Sequence, residues 1–267
     1  MKHSVIFRMI GIDPKIAVAN IVLVASAFIW YFLAFNVLTD LLDLSNVTSF
    51  ETLAVIGVNV GGIAITAIIG SFLVEKYKKR VPLLYFWMFA GILISLIPIF
   101  FTPSTYAELM AVSIIFGGYF GLGMPATMGY FSASTKYQNR ARLSGFIFLV
   151  IALAFFVLGS LSVGSTIIAG AVLVAVRIVS LLLFYLSKKI DLVVQDSSRM
   201  TYFRILSNRS FLLFLIPWLV VNLVNYLTIP FTIKFAEGAA FDRSISLYEN
   251  ILIAVVAMFI GFLADSS

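Results

Sequence analysis

Five charged side chains stand within six consecutive positions: Glu75, Lys76, Lys78, Lys79 and Arg80. One acid beside four bases can build an ion-pair network. Exposed pairs contribute only about 0–1 kcal/mol each, but a network that breaks when two surfaces part can bias a two-state equilibrium. Little else in the chain offers chemistry. There is no Cys, which excludes disulfides, thiol catalysis and Cys-ligated metal sites. The single histidine, His3, reads as a tail residue rather than a metal ligand. A membrane-embedded enzyme, for example a lipid-modifying transferase, would need paired acids or a His/Asp cluster at a helix end, and none is present. No cofactor is expected. Arg177 is the one charge inside a long apolar run, "STIIAGAVLVAVRIVSLLLFYL" at 165–186.

The elements that must position these residues are set by apolarity. The chain is 62% hydrophobic and 11% charged, less than half the usual charged share of a globular protein. Lipid can cover that much apolar surface; a soluble fold of 267 residues cannot. Eight stretches are long enough to cross a bilayer core, which takes about 20 helical residues: 16–38, 52–74, 82–101, 107–131, 143–163, 166–187, 211–233 and 246–264. Their apolarity is continuous rather than alternating, so the expected class is all-α, a polytopic transmembrane helix bundle. The first run is too long for a signal sequence and lacks a small-residue cleavage site.

Charge supplies a topology. Lys2, Arg8 and Lys15, the 76–80 cluster, Lys136, Arg140 and Arg142, and Lys188, Lys189, Arg199, Arg204 and Arg209 all fall on one side. They account for 15 of the 18 basic residues. Only Lys234 and Arg243 fall on the other side, with Asp40, Asp43, Glu51, Glu108, Glu237, Asp242 and Glu249. Basic loops are retained in the cytoplasm, so a multi-pass protein of the cell membrane with a cytoplasmic N-terminus is expected. The net charge of +6 then reflects topology and not nucleic-acid binding.

Two short echoes suggest a repeat. "SFLVE" at 71–75 returns as "GFLAD" at 261–265, and "NVLT" at 36–39 returns as "NYLT" at 225–228. Together they describe a six-helix unit that restarts after residue 208, and parallel repeats of this kind mark transporters. Three stretches resemble the major facilitator superfamily of secondary transporters. The 71–80 stretch is similar to its loop signature, with Ser71, Leu73, Glu75, Lys76, Lys79 and Arg80 on signature positions and Lys78 where the family has Gly. "GLGMPATMGYFSASTKYQNRARLSG" at 121–145 resembles its fourth helix and following loop, with Arg140, Arg142 and Gly145 matching. "FRILSNRSFLLFL" at 203–215 is similar to the approach to its seventh helix.

The resemblance implies an N-terminal six-helix bundle over 1–187, a cytoplasmic linker over 188–208, and the first two helices of a second bundle over 209–267. That is eight of the family's usual twelve, so the missing C-terminal helices are expected partners. It implies a small-molecule substrate, with or without a coupling ion, moved by alternating access. Ser71, Glu75, Lys76, Lys79, Arg80, Arg142 and Asp265 become gating residues, Glu75 being paired by Lys76, Lys79, Arg142 or a helix N-terminus of the other half. Asn36, Tyr119, Thr127, Trp218, Asn222 and Asn225 become candidate substrate contacts on helices one, four and seven.

Two family features are absent. Gly117 and Gly118 stand where the fourth helix usually has an arginine, and the fifth helix lacks a Gly-Pro signature, so proton-coupled drug export is not expected. No acid lies near the centre of any span. Gly57 and Gly61, and then Gly62, Thr66 and Gly70, read as stripes for close helix packing. Gly121, Gly123 and Pro125 read as a kink in helix four. Arg177 is expected to face protein or water, with carbonyls and polar side chains of a neighbouring helix, an acid in further helices or an anionic substrate as its partner. A non-transporting membrane sensor or assembly factor is the remaining alternative.

Overall fold

The computed structural model describes residues 13–76, 80–161 and 165–187, and isolated positions beyond residue 208. The expected linker at 188–208 and the spans 211–233 and 246–264 lie outside the described residues, those isolated positions aside. Described residues are helical, with no strand among them. Six helices are long and apolar enough to cross a membrane: α1 (Pro14–Asp43), α2 (Ser49–Lys76), α3 (Arg80–Phe100), α4 (Tyr106–Ser134), α5 (Tyr137–Leu161) and α6 (Thr166–Leu186). The fold is a polytopic transmembrane helix bundle.

Helices α1, α2, α4 and α6 start where a side chain takes up free backbone N–H groups. Asp13 accepts from the Lys15 amide at 2.8 Å, and Pro14 occupies the first turn of α1, where its missing N–H costs nothing. Thr105 and Glu108 form a reciprocal capping box on α4. Thr48 and Glu51 make the same exchange at the start of α2: the Glu51 carboxylate accepts from the Thr48 amide at 2.7 Å, and Thr48 Oγ1 accepts from the Glu51 amide at 3.3 Å. Ser165 caps α6. Helix α3 breaks at Leu96, between Arg80–Ser95 and Ile97–Phe100, because Pro98 cannot donate to the preceding turn.

Helix α1 is the hub. It packs against α4, α5 and α6, while α2 lies along α4 and α3 fits between α4 and α6. Ala17, Ala19, Ala27 and Ala34 are fully buried and let neighbouring backbones approach α1. Polar side chains inside the bundle join helices instead of facing lipid. Asn20 Nδ2 donates to Ser134 Oγ at 2.8 Å, and Tyr31 Oη donates to Asn59 Oδ1 at 3.1 Å. Asn59 Nδ2 donates to the Ser113 carbonyl at 3.0 Å, and Ser113 Oγ donates to the Val55 carbonyl at 2.6 Å. The outer face of α2 exposes Ile65, Ile68, Ile69 and Phe72, as a lipid-facing surface requires.

The α2–α4 seam is built from glycines, though not all of those expected. A Cβ at Gly70 would collide with the Leu122 carbonyl, one at Gly117 with the Asn59 carbonyl, and one at Gly121 with the Ile63 carbonyl. A Cβ at Gly57 or Gly61 would meet nothing within 4 Å. The close-packing stripe therefore runs through Gly70 on α2 and Gly117 and Gly121 on α4, and Gly57 and Gly61 do not belong to it. The glycine at 117 has a steric reason: any side chain there would push into the α2 backbone. Helix α4 runs on through Pro125 to Ser134, and Gly121 and Gly123 serve packing within it.

Candidate functional site

Arg177 sits about midway along α6, roughly 15 Å from either end at 1.5 Å per residue. It is fully buried. Three aromatic rings from three other helices surround its guanidinium carbon: Trp30 of α1 at 5.1 Å, Trp87 of α3 at 4.6 Å and Tyr119 of α4 at 5.2 Å. These are cation–π distances. The rings hold one another. Tyr119 stacks on Trp87 with centroids 5.3 Å apart and meets Trp30 edge-on at 4.6 Å. Their polar atoms are pinned: Trp30 Nε1 donates to Ser95 Oγ at 2.7 Å, and Trp87 Nε1 donates to the Tyr119 carbonyl at 2.9 Å. Ser95 in turn donates to the Gly91 carbonyl at 2.6 Å.

Glycines make room for the cage. A Cβ at Gly123 would overlap the Trp87 indole, and a Cβ at Gly91 would overlap Tyr119 Oη and stand 2.9 Å from Arg177 Nε. Gly91→Ala is therefore expected to displace the Tyr119 ring and to cost about 1–3 kcal/mol of stability by overpacking, which lowers the thermal midpoint. Tryptophan emission should shift with it, because two of the three tryptophans touch this ring. An unchanged spectrum and midpoint would show that the ring has slack.

The rings satisfy the faces of the guanidinium but not its edge. Nε, Nη1 and Nη2 of Arg177 have no hydrogen-bond partner among the described residues, and Tyr119 Oη beside them has none either. No described acid is buried. The partner is thus neither the carbonyls nor the polar side chains expected of a neighbouring helix. It is an aromatic cage around a cation whose in-plane donors have no acceptor among the described residues. Such an edge can accept a carboxylate or another small anion in bidentate fashion.

The other sequence-derived residues are spread along the bundle. Tyr119 is a wall of the cage, whereas Thr127 lies about 12 Å further along α4, buried, with its hydroxyl unpartnered. Asn36 is half-buried near the far end of α1. Trp218, Asn222, Asn225 and Asp265 lie outside the described residues. In the basic loop, Glu75 and Lys76 are exposed at the end of α2 and Lys79 lies outside the described residues. Ser71 Oγ donates to the Ala67 carbonyl of its own helix at 2.9 Å. Arg80 Nη1 donates to the Gly129 carbonyl of α4 at 3.0 Å. Arg142 is half-buried near the start of α5, and Arg140 caps the end of α4 by donating to the Ser132 carbonyl at 2.6 Å. Trp30 and Trp87 were not singled out from sequence, because an aromatic residue in an apolar span reads as ordinary core. No protein family, curated protein or solved structure matches the chain.

Proposed function

We propose that this chain forms the first half, and the start of the second half, of a secondary transporter of the major facilitator type. It moves a small solute across the cytoplasmic membrane by alternating access, with its N-terminus in the cytoplasm. One observation carries the reading: the described unit has six spans, and the marks of its first two helices return in sequence after it, Asn36 as Asn225 and Glu75 as Asp265. A further feature fits. Phe28, Phe32 and Asn36 recur every fourth residue along α1 and are its less covered stripe. In this reading that stripe lines the solute path, and the Glu75 cluster closes the basic end.

The native chain has no Cys, so a single cysteine can report access. Phe32→Cys, in the full-length protein in oriented vesicles, is expected to react with a membrane-impermeant maleimide from both faces in turn. Adding Glu75→Gln is expected to raise the rate from the basic face and lower it from the other, as a weakened gate would. Reaction from one face only, unchanged by Glu75→Gln, would reject alternating access.

A further inference from the structure

Helices α2, α3 and α4 line a second feature, which Trp87 and Tyr119 of the cage also border. It is a groove of about 370 Å³ lined by Leu73 of α2, Leu83, Phe86 and Ile94 of α3, and Ile114 and Ala126 of α4, among others. Its rim residues Phe86 and Ile114 are largely exposed, so the groove opens sideways onto the surface that meets lipid. Its length is informative. From Leu83 to Ile94 it runs eleven residues of α3, or about 16 Å, close to half of a hydrocarbon core about 30 Å thick. It runs from near the basic end of α3 to just past the depth of the Arg177 cage, and its basic end decides where a headgroup would sit. Leu73 and Leu83 adjoin the α2–α3 turn, where Lys76, Lys78, Lys79 and Arg80 follow Glu75.

Arg80 is fixed at that mouth. Its guanidinium lies over Gly129, with Nη1 3.4 Å from where a Cβ would stand, and it donates to the Gly129 carbonyl. Gly129 is one turn beyond Ala126 of the groove wall. Arg80 Nε is buried and has no partner. An apolar slot about 16 Å long that ends at an anchored arginine and a net positive turn matches one kind of molecule. We infer that this groove binds an anionic phospholipid, with an acyl chain between α2, α3 and α4 and its phosphate at Arg80 and Lys76. Basic pockets between helices at the membrane surface hold acidic headgroups in this way. The site does not depend on the transport reading.

Trp87 borders the groove and serves as the probe. The protein is reconstituted in phosphatidylcholine vesicles containing a minor fraction of lipid with brominated chains, as either phosphatidylglycerol or phosphatidylcholine. Brominated phosphatidylglycerol is expected to quench tryptophan emission more than brominated phosphatidylcholine at equal fraction, and the excess should shrink with added salt. Arg80→Gln is expected to cut the preference about fivefold, the share of one basic residue near a charged surface. Ala90→Phe, which fills the groove from a half-exposed position, should reduce quenching by both lipids. Equal quenching by the two headgroups leaves an ordinary lipid-facing surface and overturns the site. So does a preference that survives Arg80→Gln, or quenching untouched by Ala90→Phe. Absence of quenching by either lipid would mean that a protein helix or a second copy occupies the groove, and overturns it too.

Discussion

Arg177→Met is expected to raise the midpoint of thermal unfolding in detergent, by about 1–4 kcal/mol of stability. The sign follows from comparing magnitudes. Three cation–π contacts around one cation, each about 2 kcal/mol or more when desolvated and not additive, support the charge. Against them stands an effective desolvation penalty of several kcal/mol for the ion, which no hydrogen bond offsets, because its three nitrogens have no acceptor among the described residues. Methionine fills a similar volume, packs well against Trp30, Trp87 and Tyr119, and needs no partner. Arg177→Gln should gain less, because its amide also lacks an acceptor. A charge that costs stability in the middle of a bundle points to use of its free edge. Small anions such as acetate should then stabilise the parent protein and leave Arg177→Met unaffected. A lower midpoint for Arg177→Met would show instead that the guanidinium already has a counter-charge, and the unpaired-edge reading would be wrong.

The double variant Gly117→Ala/Gly121→Ala is expected to lose about 2–5 kcal/mol. Overpacking costs about 1–3 kcal/mol at each site, and neighbouring sites need not add. The obstacle at both positions is the α2 backbone, at the Asn59 and Ile63 carbonyls, which cannot rotate away as a side chain can. The helices must separate, and the Asn59–Ser113 and Ser113–Val55 hydrogen bonds that stitch the seam lengthen with them. Gly57→Ala and Gly61→Ala are the controls. With nothing within 4 Å of either new methyl, they should be neutral or gain up to about 1 kcal/mol from helix propensity. A double variant as stable as the parent would remove the seam from the account of this fold.

These two cases also show what sequence could convey. The six described spans were legible, with ends off by as much as six residues at the start of α5, since continuous apolarity and alternating loop charge are one-dimensional signals. The caged arginine was legible only as a charge needing a partner. Its walls come from residues 30, 87 and 119, far apart in the chain, and nothing periodic links them. The seam failed for a different reason. In a soluble helix the apolar face shows which side is buried, but in lipid every face is apolar, so a glycine stripe cannot say which side meets a neighbour. Gly57 and Gly61 fit the spacing rule as well as Gly117 and Gly121 do. The capping boxes were legible and overlooked: Thr48-x-x-Glu51 and Thr105-x-x-Glu108 carry the expected pattern in plain order.

The hub position of α1 has a consequence for synthesis. The helix made first is completed last. Its Tyr31 hydroxyl waits for Asn59 and its Trp30 indole for Ser95, while its Asn20 amide bonds the Ile16 carbonyl of α1 itself and gains Ser134 later. About 90 residues separate the end of α1 from the end of α4, which at 5–20 residues per second is on the order of ten seconds of translation. Over that interval the interhelical partners of α1 arrive one by one, on α2, α3 and α4 in turn. The helix must be sheltered by the insertion machinery or by a membrane chaperone until α4 arrives. Ribosome-bound chains halted before residue 134 should therefore crosslink through α1 to that machinery, and chains halted well beyond it should not.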